Sequence, residues 1–481
     1  MNILILGSTG YVGGRLVPRL ADQGYHLRCL VRDRGKADDR AWPPGVEIIE
    51  GDVLEPASLE KAMQDIEVIY YLIHSMAAGE ERFENLDRTA AANVAKAASA
   101  AGVKRIIYLG GLGKRDTDQS PHLRSRHEVG NILREGPVPV TEFRAAVIVG
   151  SGSISFEMIH HLVNRLPVMI CPRWVYTLTQ PIAIADVLRY LVACPEYPES
   201  AGQILDIGGP KVLSYRDMML MVARVLGLRR WLIRVPVLTP RLSSYWVNLV
   251  TPIPAHIARA LIEGLRYETV CENDRAREIF DFDPISLAEA IERAVSLRRE
   301  HRTETTWTDA ASISAEPDHL DSHLFRDRRR LLIKAPAETV YGVIRAIGGE
   351  NGWYYANWLW SLRGFIDKQL GGVGLRRGRR HPEDIKTGDA LDFWRVMAVV
   401  PGERLLLRAE MKVWGQAWLE LKVEQKGNDG TLLTQTASYY PRGLIGHIYW
   451  YTIYPIHTLV FRGLVRAIAD RAEMAAQKPF S

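Results

Sequence analysis

Residues 7–14 read GSTGYVGG and follow the apolar run NILIL without a break. Gly7, Gly10 and Gly13 recur at every third position. Glycine permits a tight turn and lets the backbone come close to a pyrophosphate. A helix that starts inside such a turn offers free N–H groups and a partial positive charge to phosphates. A glycine triplet carries this meaning only between a strand and a helix. The pattern here predicts a strand over residues 2–6 and a helix over 12–23, and the alternation continues beyond them. The turn is read as a dinucleotide cradle lined by Gly7, Ser8, Thr9, Gly10, Tyr11, Val12 and Gly13. A plain glycine turn is the competing reading.

Further strands are predicted over 26–31, 46–50, 68–73, 105–109 and 141–149, with helices over 58–64, 86–101 and 128–134. Strand and helix in strict alternation mean a parallel sheet covered on both faces. The expected class is therefore α/β, a Rossmann-type doubly wound sheet. Residues 150–299 are more irregular and rich in proline, with helices near 217–226 and 287–299, and read as a substrate-side region.

The chain has 481 residues, which suggests two domains. We expect an NAD(P)-binding domain over 1–305, a polar linker over 306–328 and a second domain over 329–481. A net charge of +5 is small for this length and gives no reason by itself to expect nucleic acid or an acidic membrane. Cys29, Cys171, Cys194 and Cys271 are widely spaced, with no C-x-x-C and no metal-ligand spacing. A reducing, cytoplasmic setting and no bound metal are expected. The opening MNILILG lacks a basic segment before its apolar run, and that run is too short for a secretory signal.

The cofactor follows from the end of the second strand, Val31-Arg32-Asp33-Arg34, with Lys36 just beyond. Arg32 suits stacking on adenine and pairing with a 2′-phosphate, and Lys36 is a second cation for the same group. NADP(H) is therefore preferred, while Asp33 keeps NAD(H) open. Asp52 and Val53, at the end of the third strand, are placed at the adenine edge.

GSTGYVGG, VRDRGK, EGDV, FRAAVIVG and the PIAIADV of 181–187 together resemble the short-chain dehydrogenase/reductase superfamily. The nearest branch is the atypical, NmrA-like or extended group, and the resemblance spans residues 1 to about 300. It implies a tyrosine, and a lysine four residues later, on the helix beside the nicotinamide, assisted by a hydroxyl at the end of the fifth strand. The tyrosine moves the proton and the lysine lowers its pKa. Residues 120–130, SPHLRSRHEVG, occupy that helix. Matching the family's Ser-Lys pair to Ser125-Arg126 puts His122 at the tyrosine position, and Leu109-Gly110-Gly111 supplies no hydroxyl. All three positions depart from the pattern. Arg126 is expected to hold the nicotinamide ribose as a fixed cation, since it cannot share a proton. An imidazole titrates near neutrality, so His122 is the candidate general acid; a polar helix-start residue is the alternative. His74, after the fourth strand, is a further candidate near the nicotinamide.

Beyond the linker the order changes: a strand over 330–334, a helix over 337–347, then strands over 389–400, 404–413, 417–426 and 431–438. LLIKAPAETVYGVI at 331–344 resembles the opening of START-like (SRPBCC) domains, which implies an α+β helix-grip fold with an antiparallel sheet and a long C-terminal helix. PRGLIGHIYWYTIYPIH at 441–457 is similar to an uncharacterised domain fused behind NmrA-like reductases. Trp353, Trp358, Trp360, Trp394, Trp414, Trp418 and Trp450, with Tyr439, Tyr440, Tyr449 and Tyr451, line either an apolar ligand cavity or an aromatic core. LRRGRRHP at 375–382 reads as a solvated basic loop or an anion site. Residues 444–461 hold no Asp, Glu, Lys or Arg. His447, Pro455 and His457 within them favour a buried or ligand-facing helix over a membrane span.

Three functions fit. The first is NADPH-dependent hydride transfer to a hydrophobic carbonyl, enone or quinone. The second is a non-catalytic NADP(H)-binding redox sensor or assembly factor, whose protein partner is not legible. The third is a peripheral lipid-handling protein, for which membrane-surface contact is the less favoured expectation.

Overall fold

The first strand shows why the sheet is buried on both sides. In β1 (Asn2–Leu6), Ile3 and Ile5 pack into one layer with Leu16, Val17 and Cys29. Leu4 and Leu6 pack into the opposite layer with Leu30, Ile69 and Tyr71. Alternate side chains point to opposite faces, so a run with no polar position needs cover on both. Each fully buried aliphatic side chain contributes about 1.5–3 kcal/mol.

The structure is a computed structural model that describes residues 1–38, 40, 42–73, 80–113, 120–235, 247, 250–251, 253, 255–300, 302–307, 324–370, 372–374, 379–427, 430–441 and 443–477. The chain divides into two units, Met1–Ser312 and Ile313–Ser481.

In the first unit β1 is followed by α1 (Gly13–Ala21), β2 (His26–Val31), α2 (Arg34–Asp38), β3 (Glu47–Glu50), α3 (Pro56–Ala62) and β4 (Val68–Tyr71). Next come α4 (Glu80–Ala100), β5 (Arg105–Gly111), α5 (Pro121–Glu135) and β6 (Val140–Ala145). With the strand Ile204–Ile207 they form a seven-stranded sheet in the order Ile204–Ile207, β6, β5, β4, β1, β2, β3. Every pairing in it is parallel. Strand order reverses between β1 and β4, where Leu6 lies opposite Tyr71. In open sheets of this type ligands bind in the crevice at the carboxyl ends of the strands flanking that reversal.

α5 starts earlier than the predicted 128. Pro121 occupies the first turn, and the Ser120 hydroxyl caps it by accepting from Leu123 N at 3.3 Å. The expected strand over 141–149 is two, β6 and Ile148–Val149. Residues 147–295 build a further core around Phe156, Met218, Ile262 and Ile291.

The second unit holds a six-stranded antiparallel sheet in the order Phe325–Ile333, Thr431–Pro441, Gly415–Gln425, Arg404–Ala409, Trp394–Val400, Ala390–Leu391. The helix Gly443–Ala476 packs on it beside Ala337–Arg345. The first strand begins at Phe325, paired with Tyr439 and inside the stretch expected as linker; Arg326, Arg328 and Arg330 alternate on its exposed side, which masks its apolar pattern in the sequence. The helix Asn357–Gln369 was not predicted.

Candidate dinucleotide site and the C-terminal cavity

Gly7 sits at φ +87°, and a Cβ there would lie 2.7 Å from the Leu72 carbonyl oxygen. A Cβ at Gly13 would lie 2.3 Å from the Gly7 carbonyl oxygen. Only glycine serves at both positions, and the turn closes through Gly10 N donating to the Gly7 carbonyl at 3.1 Å. Ser8 is fully buried with its hydroxyl beside Cys29, whose thiol burial pushes up to about 12. Val12 caps α1 with its carbonyl, which accepts from Leu16 N at 3.0 Å. Burial raises the Tyr11 phenol, and the Arg15 guanidinium lies 4.6 Å from its ring centroid.

The back of the turn is closed by residues 302–307, which run from the end of the expected first domain into the first two residues of the expected linker. Thr305 Oγ1 donates to the Tyr11 carbonyl at 2.7 Å and accepts from Arg15 Nε at 2.8 Å. Arg15, 2% exposed, also donates to the Ser151 carbonyl at 2.7 Å.

The predicted cations separate. Arg32 stands exposed one residue after β2. Lys36 is buried within α2, 5% exposed, rather than standing at a solvated rim. Arg40, which the sequence reading passed over, reaches the turn and donates to the Thr9 carbonyl at 2.9 Å. Arg34, Lys36 and Arg40 are near neighbours in sequence, and only the path of α2 decides which faces the turn. Asp52 accepts from Leu54 N at 3.0 Å, and Asn93 of α4 donates to the Val53 carbonyl at 3.1 Å, so both residues lie in an ordered turn after β3.

On α5, His122 lies half-buried in the first turn and Arg126 one turn later on the same side. Arg126 donates to the Ile73 carbonyl, just beyond β4, at 3.3 Å, and its own carbonyl accepts from Tyr108 at 2.9 Å. Ser125 does not face the crevice; it is buried and donates to Asp87 of α4 at 3.1 Å. His127 sits 3.2 Å from the Gly111 carbonyl. His74 lies outside the described residues.

The second unit encloses a cavity of about 440 Å³, lined by Trp360, Trp394, Trp414, Trp418, Trp450, Tyr439 and Tyr449 among aliphatic side chains. Trp353 belongs to the core instead, its indole N–H donating to Asp392 at 2.9 Å. Trp358 and Tyr451 are exposed, and Tyr440 packs in a small separate cluster. In the basic run, residues 375–378 lie outside the described residues. Arg379 turns inward to the Ile347 carbonyl at 2.8 Å, and Arg380 pairs with Asp389 at 3.2 Å. These two are structural arginines. Among the described residues no helix is long and apolar enough to cross a membrane.

Residues 7–140 match a family described as NAD(P)H-binding, and residues 319–464 match a family described as a protein of unknown function. The photosystem II assembly factor Ycf39 of Trieres chinensis is 24% identical over 245 residues, 51% of this chain and 75% of that protein. The ceramide reductase of Caulobacter vibrioides is 27% identical over 238 residues, 49% of this chain and 73% of that protein. The triphenylmethane reductase of Citrobacter sp., solved with NADP(H), superposes at a TM-score of 0.51 with 19% identity, covering 61% of this chain and all of that one. The Met1–Ser312 unit thus has a Rossmann fold, shared with structures that include a nucleoside-diphosphate-sugar epimerase and a triphenylmethane reductase, its residues 7–140 are similar to an NAD(P)H-binding family, and the C-terminal unit is a separate domain.

Proposed function

We propose that the first unit binds NADP(H) across the β1–β4 crevice and passes hydride from NADPH to a hydrophobic carbonyl, enone or quinone. The observation that carries this reading is the glycine turn, closed at Gly7 and Gly13 with the α1 N-terminus behind it and the exposed Arg32 at the end of β2. Arg32 takes the 2′-phosphate, with Arg40 beside the turn. Arg126, held against the Ile73 carbonyl, faces the nicotinamide ribose. His122, one turn before it, supplies the proton that accompanies the hydride. The dinucleotide provides the reducing equivalents, and the protein provides orientation. The reductase relatives support a small-molecule acceptor. The four unpaired cysteines, three of them buried, fit a reducing cytoplasm.

A calorimetric titration of the whole chain with NADPH and then NADH tests the site. Tight NADPH binding that Arg32→Ala weakens roughly ten-fold, with NADH unaffected, is expected for loss of one charge-assisted contact. No binding of either nucleotide overturns the reading. A second reading, a redox sensor or assembly factor, is favoured by Ser125 being engaged with Asp87 and by a helix α5 without tyrosine. NADPH binding without turnover of any hydrophobic acceptor selects it.

A further inference from the structure

The helix Asn357–Gln369 leaves Trp358, Leu362, Phe365 and Ile366 between 45% and 68% exposed. The first half of Gly443–Ala476 does the same with Ile448, Tyr451, Ile456 and Leu459, each above 50%. The two helices meet at the cavity mouth, where Leu362, Ile366, Leu370, Trp414 and Ile456 are at once exposed and part of the cavity lining. The cavity therefore opens through an apolar rim. Soluble surfaces rarely carry contiguous apolar area of this kind without a partner.

The charges around the rim identify that partner. From 443 to 461 the long helix has no ionisable carboxylate or cation of the Asp, Glu, Lys or Arg type. The charged lining residues of the mouth are Arg363 and Lys412, with no carboxylate. The nearest acid on the shorter helix, Asp367, is 1% exposed and turned inward, accepting from Lys412 N at 2.6 Å and Gly374 N at 2.9 Å. Past Leu459 the next exposed charges along the helix are Arg462 and Arg466. An uncharged apolar plane with exposed Trp and Tyr and a cationic margin is complementary to hydrocarbon beneath anionic head groups. A second copy fits less well, since an isologous contact would bring the same cations together.

We propose that this face of the C-terminal unit rests on an anionic lipid leaflet, with the cavity opening toward the hydrocarbon. The test is flotation of the whole chain with phosphatidylcholine vesicles, with and without phosphatidylglycerol. Binding to the anionic vesicles that weakens in high salt and on the neutral ones is expected. Phe365→Glu and Ile456→Glu, both exposed and therefore compatible with folding, each lower it roughly ten-fold or more while the thermal transition stays in place. Lys412→Glu lowers it on anionic vesicles alone. A chain that stays in solution with both vesicle types overturns the proposal, as does equal flotation on both. A dimer that Phe365→Glu dissociates, without flotation, assigns the face to a second copy and also overturns it.

Discussion

Gly13→Ala is the substitution that the glycine turn resists most. The added methyl lies 2.3 Å from the Gly7 carbonyl oxygen and 2.8 Å from Ser8 Cα. Both neighbours are backbone, so neither can rotate away. The turn cannot retreat either, because Gly7 at φ +87° already presses toward the Leu72 carbonyl behind it. Overpacking of this kind costs about 1–3 kcal/mol. For a unit of this size that is a fall in melting temperature of roughly 2–5 °C. Opening the turn also displaces the amides aimed at the pyrophosphate, and the affinity for NADPH drops about ten-fold or more. Thermal melts with and without NADPH, joined to a calorimetric titration, measure both effects. Gly24→Ala is the control: its φ is +80° and a Cβ there meets nothing within 4 Å. It loses about 1 kcal/mol to backbone strain and no cofactor affinity. If Gly13→Ala binds NADPH as the unaltered chain does, the turn is not the cradle and the reasoning fails.

Two further outcomes are expected. His160, 7% exposed, is pulled down to about 4 by burial and then by the Arg298 charge, so the unfolded chain binds a proton that the folded chain refuses. Stability of the first unit should therefore decline as pH falls from about 6.5 to about 4, by up to about 3 kcal/mol. Denaturant midpoints that show the same slope in His160→Gln would disprove this assignment. Arg15→Met removes the bonds to Thr305 and Ser151 and should cost about 3 kcal/mol while exposing residues 302–307 to limited proteolysis. Unchanged cleavage would show that Arg15 does not anchor that segment.

The strands of the first unit were legible because each signal is local. An apolar run covered on both faces and a glycine spacing depend on chain geometry within a few residues, and the structure places β1, β2 and β4 within two residues of their expected bounds. The errors cluster where a local signal was ambiguous. Charged alternation hid residues 325–328 as strand, since arginine on an exposed strand edge reads as linker. Residues 302–307 are polar as well, and it is Arg15, reaching Thr305 across the fold, that leaves Thr305 1% exposed, a contact no local signal carries.

The same division holds for the site. The glycine turn, the parallel sheet and the departure of SPHLRSRHEVG from the reductase pattern belong to the sequence by itself, because spacing and residue type determine them. Which cation meets the turn was decided by tertiary structure: α2 buries Lys36, while Arg40 bonds to Thr9. The packing of α4 against α5 likewise engages Ser125 with Asp87, whereas Arg126 reaches the Ile73 carbonyl. The uncharged stretch 444–461 is visible in the sequence, but its exposure is not. Hydrophobicity is a property of a residue, whereas burial is a property of what the rest of the chain brings against it.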